Sequence, residues 1–159
     1  MRILFKKLGE MFLPKRGTPK AAGWDLAAAE TATLRPYEPQ LVKLNFATEL
    51  PEGTAMLILP RSSNPKRQLY VSNSPGLIDS DYRGPWCVWL TWIPHPASVT
   101  EGLEGSTHLQ ARSRESLLIE KGERVAQGFL IGVIDQQWVE AETLSETVRG
   151  SGGYGSTGR

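Results

Sequence analysis

Residues 69–93 read LYVSNSPGLIDSDYRGPWCVWLTWI. The segment begins with strand-like residues, turns at Pro75-Gly76, runs apolar through Leu77 and Ile78, and breaks at Asp79, Asp81 and Gly84. It then ends in WCVWLTWI, a dense aromatic and β-branched run that favours a pleated, half-buried surface. Such a succession of short strands and turns points to an all-β chain. Within it, GLIDSDYRG (76–84) has two readings. One is a strand-edge turn with a solvated acidic pair. In the other, Asp79 is flanked by apolar residues that limit its water and serves as a general base.

The same grammar extends outward in both directions. Residues 2–5 with Leu8 suit a first strand, and Pro14, Gly17 and Pro19 mark a basic loop after it. Alanines 27–29 favour helix, but Gly23, Pro36 and Pro39 leave too little length for one, so short strands are expected there. Residues 40–46 and 54–59 flank the turn PEGT (51–54) as a hairpin would, and SLLIEKGERVAQGFLIGVID predicts a second hairpin turning at Lys121-Gly122. One helical turn is expected near Pro65, capped by Ser62 or Ser63. Residues 94–115 carry little periodicity and form an excursion. The sequence thus predicts a single β-barrel domain over 1–148 and a flexible glycine-rich segment over 149–159.

Bulk composition narrows the function. With 159 residues, 40% of them apolar, the chain can bury a core, and 18 basic against 17 acidic residues give a net charge of +1. That balance offers no field for nucleic acid, although a local basic patch at 61–67 or around Arg149 and Arg159 would suit a compact polyanion such as a triphosphate. One cysteine, Cys87, and two histidines, His95 and His108, exclude a disulfide framework and a Cys/His zinc site. The start, MRILFKKLGEMF, lacks a signal-peptide core, and no stretch has the apolar length of a membrane span, so a cytoplasmic protein is expected.

Five stretches carry the candidate chemistry: AAGWDL (21–26), PRSS (60–63), GLIDSDYRG (76–84), GERVAQ (122–127) and RGSGGYGSTGR (149–159). In the last, glycines let N–H groups converge on an anion, while Ser156, Thr157, Arg149 and Arg159 add donors and charge. The competing reading is a plain disordered end, against which stands Tyr154, whose ring has no core to join but can stack on a base. Arg61 and Ser62 follow an apolar strand, where a guanidinium and a hydroxyl can reach phosphate oxygens together, or else form a cap and a surface charge. Asp25 either holds waters around magnesium or caps a turn. Gln127 either donates to phosphate or satisfies a strand edge, and Arg124 reads as a structural ion-pair partner. Trp24, Trp86, Trp89 and Trp92 read as core or subunit-contact residues.

In this order the five stretches resemble the motifs of the trimeric deoxyuridine triphosphatases. The resemblance covers most of 2–93 and 116–159 and leaves 94–115 unmatched, a stretch longer than the family's usual hairpin, as in some phage-encoded relatives. It implies a distorted jelly roll assembling as a homotrimer with shared sites and a C-terminal lid. It also implies Mg2+-dependent hydrolysis of dUTP to dUMP and pyrophosphate, which keeps dUTP low and supplies dUMP for thymidylate synthesis. Asp79 is then the base that activates water, and Tyr82 packs on the deoxyribose and excludes a ribose hydroxyl. Asn73, with the backbone at Gly76, Leu77 and Ile78, reads uracil. Arg61, Ser62, Ser63 and Gln127 bind phosphates, and Asp25 meets magnesium through water. Arg149, Gly155, Ser156 and Thr157 hold the γ-phosphate end, and Tyr154 covers uracil. Two departures stand out: Ser63 replaces the second motif's usual glycine, and Tyr154 replaces the fifth motif's usual phenylalanine.

Two alternatives follow from the same residues. Ser63 echoes the dCTP deaminases, or a bifunctional relative, which share the fold, but the third motif here carries Asp79 and Asp81 and lacks the glutamate that deamination would use. The other is a regulatory interaction protein whose partner binds residues 94–115.

Overall fold

The computed structural model describes residues 1–94 and 116–153. Among these, eleven strands and one 3-10 turn occur, with no α-helix, as the sequence predicts. The strands are β1 (Leu4–Lys7), β2 (Trp24–Ala27), β3 (Ala32–Leu34), β4 (Gln40–Lys43), β5 (Phe46–Glu49), β6 (Thr54–Leu59), β7 (Leu69–Val71), β8 (Gly76–Asp79), β9 (Cys87–Trp92), β10 (Leu117–Ile119) and β11 (Arg124–Gly132). All named strands pair antiparallel, in four sheets ordered β1-β5, β10-β3, β2-β11-β6-β8 and β4-β9-β7.

Both expected hairpins prove to be turns between sheets. PEGT does turn, with Thr54 donating to the Pro51 carbonyl from its N–H (3.2 Å) and its hydroxyl (2.6 Å). However, β5 on one side pairs with β1, and β6 on the other pairs with β11 and β8. Likewise Gly122 supplies a positive φ of 84°, which glycine adopts without a Cβ clash, yet β10 joins β3 while β11 joins β2 and β6. Turn chemistry is local, whereas the partner of each strand is chosen by burial across the chain. The helical turn falls at Asn64–Arg67 with Pro65 in its first turn, and Ser63 stands at the N-cap without making a side-chain cap bond.

The core draws on every sheet: Leu26, Leu34, Val42, Phe46, Ile58, Leu90, Ile119 and Val125 are all buried. Trp86 and Trp92 belong to it, Trp24 is half-buried beneath the Arg16 guanidinium, and Trp89 is exposed on the outer face of the three-stranded sheet. In the four-stranded sheet, directly paired residues share a face. Met56, Ile58, Leu26 and Gly128 face the core. The opposite face carries three rows: Asp25–Gln127–Leu59, Phe129–Leu57–Leu77 and Ile131–Ala55–Asp79. This second face is half apolar as well, so β6 has no polar side.

No helix among the described residues is long and apolar enough to cross a membrane. Beyond β11, the Val133 N–H donates to the Gly53 carbonyl (2.8 Å), and over residues 133–149 Ile134, Trp138, Val139, Leu144 and Val148 are exposed, Trp138 to 95%.

Candidate active site

The first cluster forms where β2, β11 and the loop after β6 meet. The ladder sets Asp25 beside Gln127, and Gln127 beside Leu59, so the chain leaves β6 at Pro60 directly over this row. Arg61 turns back and donates from Nε to Asp25 Oδ1 (2.7 Å), while Arg124 Nη1 donates to Asp25 Oδ2 (2.9 Å). Arg61 Nη1 also donates to Ser63 Oγ (3.2 Å) and to the Arg124 carbonyl (3.3 Å). Gln127 Nε2 donates to the Pro60 carbonyl (2.9 Å), and its Oε1 occupies the space where any Cβ at Gly23 would lie, 2.5 Å away. A side chain at position 23 would have to push the Gln127 amide aside, so glycine there leaves the amide its place over Pro60.

Asn64 underpins the loop from below. Its buried amide donates to the Val125 carbonyl at 2.9 Å, and Val125 is the extra residue of a β-bulge between Arg124 and Ala126. The loop 60–64 is therefore fastened at Asp25, Arg124, Val125 and Gln127. It holds two guanidiniums against one carboxylate, leaving excess positive charge beside the exposed hydroxyls of Ser62 and Ser63, a surface suited to phosphate oxygens.

The second cluster lies on β8 and the turn after it. Gly76 is buried beneath the Asn73 amide, and Leu77 and Asp79 are exposed. The turn closes through the Tyr82 N–H to the Asp79 carbonyl (3.2 Å), and the Tyr82 hydroxyl donates to the Pro85 carbonyl (3.3 Å). Arg83 Nη1 donates to the Ser80 carbonyl at 2.6 Å. The Asp79 carboxylate makes no hydrogen bond or ion pair among the described residues. Apolar flanks were expected to limit its water, but β8 is the sheet's edge strand, and that leaves Asp79 open in the isolated chain.

These clusters do not converge within one chain. Arg61, Ser62, Ser63, Gln127 and Asp25 come together, as do Asn73, Gly76, Leu77, Ile78, Asp79 and Tyr82, but the two groups occupy opposite edges of the sheet. Arg149 meets neither: its Nε donates to the Gly152 carbonyl at 2.9 Å. Tyr154, Gly155, Ser156 and Thr157 lie outside the described residues, as does the excursion beyond Pro94. Arg124 is an ion-pair partner, as the sequence suggested; what sequence reasoning missed is that its partner is Asp25, the use of the Ser63 hydroxyl by Arg61, and Asn64. The three-residue spacing of Arg124 and Gln127 gave no hint, because a regular strand points such residues to opposite faces.

A family model described as dUTPase matches residues 10–91, the span holding the first three motifs. This chain belongs to the dUTPase family. It is 40% identical to a deoxyuridine 5'-triphosphate nucleotidohydrolase of a Hydrogenobaculum species over 99% of both chains. It is 38% identical to the protein of the same name from Nautilia profundicola over 100% of both. Among solved structures it resembles a Staphylococcus bacteriophage 80alpha dUTPase solved with dUPNHPP, at a TM-score of 0.82, 27% identity and 99% coverage of each chain. The expected all-β dUTPase fold is borne out. Both Asp25 and Arg61 fall within the span that the dUTPase model matches, whereas Gln127 and Arg124 lie beyond it.

Proposed function

We propose that the chain hydrolyses dUTP to dUMP and pyrophosphate, keeping dUTP low and supplying dUMP for thymidylate synthesis in the cytoplasm. The observation that carries this reading is the cluster of Asp25, Arg61, Ser63 and Gln127, a prefastened cradle for phosphate in a chain of the dUTPase family. Asp79 takes a proton from water as the water oxygen bonds to the α-phosphorus. The bond from that phosphorus to the bridging oxygen breaks, and pyrophosphate leaves with the electron pair. Tyr82 packs against the deoxyribose, and Asn73 with the edge backbone of Gly76, Leu77 and Ile78 reads uracil. Ser62 joins Arg61 on the phosphates, while Arg149, Tyr154, Gly155, Ser156 and Thr157 close over the far end.

Among the described residues no group of three or more His, Cys, Asp and Glu could hold a metal ion. The single carboxylate of the cluster, Asp25, fits magnesium carried by the triphosphate, since Mg2+ keeps several waters and binds substrate phosphates. Asp25 retains lone pairs beyond the two that accept from Arg61 and Arg124, enough to receive a metal-bound water. When bound, the ion neutralises charge on the phosphates.

The chain is one domain over 1–148 with a lid over 149–159, and it works as a homotrimer with sites shared between subunits. Support for the assembly comes from the two separated clusters, the exposed apolar arm at 133–149 and the apolar outer row Phe129–Leu57–Leu77. The deciding test is incubation with Mg2+ and dUTP, UTP, dCTP or dTTP in turn, with product identification. Formation of dUMP and pyrophosphate from dUTP alone supports the reading; ammonia from dCTP points to deamination and refutes it.

A further inference from the structure

We propose that Arg124 is a positioning residue whose grip on Asp25 Oδ2 keeps one nitrogen of Arg61 free for phosphate. This deepens the phosphate-cradle reading above and rests on it. A guanidinium facing a carboxylate tends to settle into a two-bond fork, using Nε and the terminal nitrogen on the same edge. Arg61 has begun that arrangement, with Nε on Asp25 Oδ1 at 2.7 Å. The second bond of the fork would run to Oδ2, where Arg124 Nη1 already donates at 2.9 Å, so completing it would crowd two guanidinium groups onto one oxygen.

Arg124 acts twice on its neighbour. Its side chain occupies the oxygen that Arg61 would otherwise take, and its backbone carbonyl accepts from Arg61 Nη1 at 3.3 Å, beside Ser63 Oγ at 3.2 Å. Arg61 is thus held by Nε and Nη1, while Nη2 has no partner among the described residues. The guanidinium is pinned on two sides and keeps the N–H groups of Nη2 available to a ligand. The side chains of Arg61 and Asp25 are mostly shielded, at 21% and 18% exposure, so the pair will not reopen readily once a fork has formed. Losing Arg124 therefore does more than remove a charge: it lets Asp25 take Arg61 away from the substrate.

The test uses the full-length protein and two readouts, dUTP kinetics and calorimetric binding of inorganic triphosphate. Arg124→Met and Arg124→Gln are expected to raise the KM for dUTP and the Kd for triphosphate by about tenfold with kcat changed less, the pattern of a contact made in ground and transition state alike. Arg124→Lys, which can still occupy Oδ2, should recover most of the loss. In an Arg61→Ala background, Arg124→Met should have no further effect. Unchanged KM and Kd in both Arg124 variants, failure of lysine to rescue, or an undiminished loss without Arg61 each overturns the proposal. Melting curves identify any variant that has lost its fold, and the remaining variants then decide. A wild-type chain that binds triphosphate but leaves dUTP intact refutes the proposed reaction, and the triphosphate arm still decides the role of Arg124.

Discussion

Asp25 and Asp79 stand at opposite edges of one four-stranded sheet, three strands and four residue steps apart along the ladder, a separation of about 20 Å at ordinary strand spacing. A single nucleotide phosphate cannot touch both neighbourhoods of the same chain. Co-expressing Arg61→Ala and Asp79→Asn chains should therefore restore activity that neither has alone. Random mixing into rings with head-to-tail contacts gives intact sites at about a quarter of positions. Steady-state turnover of the mixed protein measures this, and activity no greater than the sum of the two inactive parents would place each site within one chain.

Asp79→Asn should lower kcat by ~10² to 10⁴-fold while dUTP still binds, because loss of a base affects the transition state more than the ground state. Kinetics paired with calorimetric binding separate the two. Equal losses in affinity and turnover would remove Asp79 from the role of base.

Tyr82→Ala should relax discrimination against UTP. The ring sits on a turn closed by its own N–H, with its hydroxyl tied to Pro85, so its position is fixed enough to exclude an added hydroxyl on the sugar. The readout is the ratio of kcat/KM for dUTP and UTP. An unchanged ratio means the sugar is read elsewhere.

Asn64→Ala should destabilise the fold by ~1–3 kcal/mol, since it strips the Val125 carbonyl of its side-chain donor in a buried setting. Urea unfolding with an unchanged m-value would report this. A loss below ~0.5 kcal/mol would mean that other groups satisfy the carbonyl.

Burial raises the pKa of the Cys87 thiol, with Lys43 opposing and Glu30 adding to the shift. The thiol should therefore alkylate more slowly in the folded protein than in urea at pH 8. The linkage has a definite sign. Above the ordinary value the unfolded chain gives up this proton while the folded chain keeps it, so this group's contribution lowers stability as pH rises through that range. Replacement by serine should flatten the slope there, as followed by urea midpoints against pH.

Most of the local structure was legible in the sequence. The strand at 87–92, the turns at 51–54 and 121–122, and the helical turn at Pro65 follow from branched and aromatic runs, glycine and proline. Strand partners were not legible. In β6, TAMLIL is apolar on both faces, so nothing in the run says that it pairs with β11 and β8 instead of with neighbouring β5. The site divided in the same way. Asp25, Arg61, Asp79 and Tyr82 stood out because short motifs surround them. The bonds among Asp25, Arg61 and Arg124 join residues 36 and 99 positions apart, and only the ladder brings these together.

The bulge at Val125 fixes the parity of β11. Arg124 and Gln127 are three residues apart, yet they lie opposite Ala27 and Asp25, which are two apart on β2. One surplus residue is what allows an odd interval on one strand to match an even interval on the other, so that both side chains reach Asp25's neighbourhood. Were 124–127 a regular strand of the same length, Arg124 would turn to the opposite side of the sheet from Gln127; deleting Val125 would keep the two on one face but would remove a buried side chain and the carbonyl that Asn64 holds. The charge arrangement at Asp25 thus depends on counting as much as on chemistry.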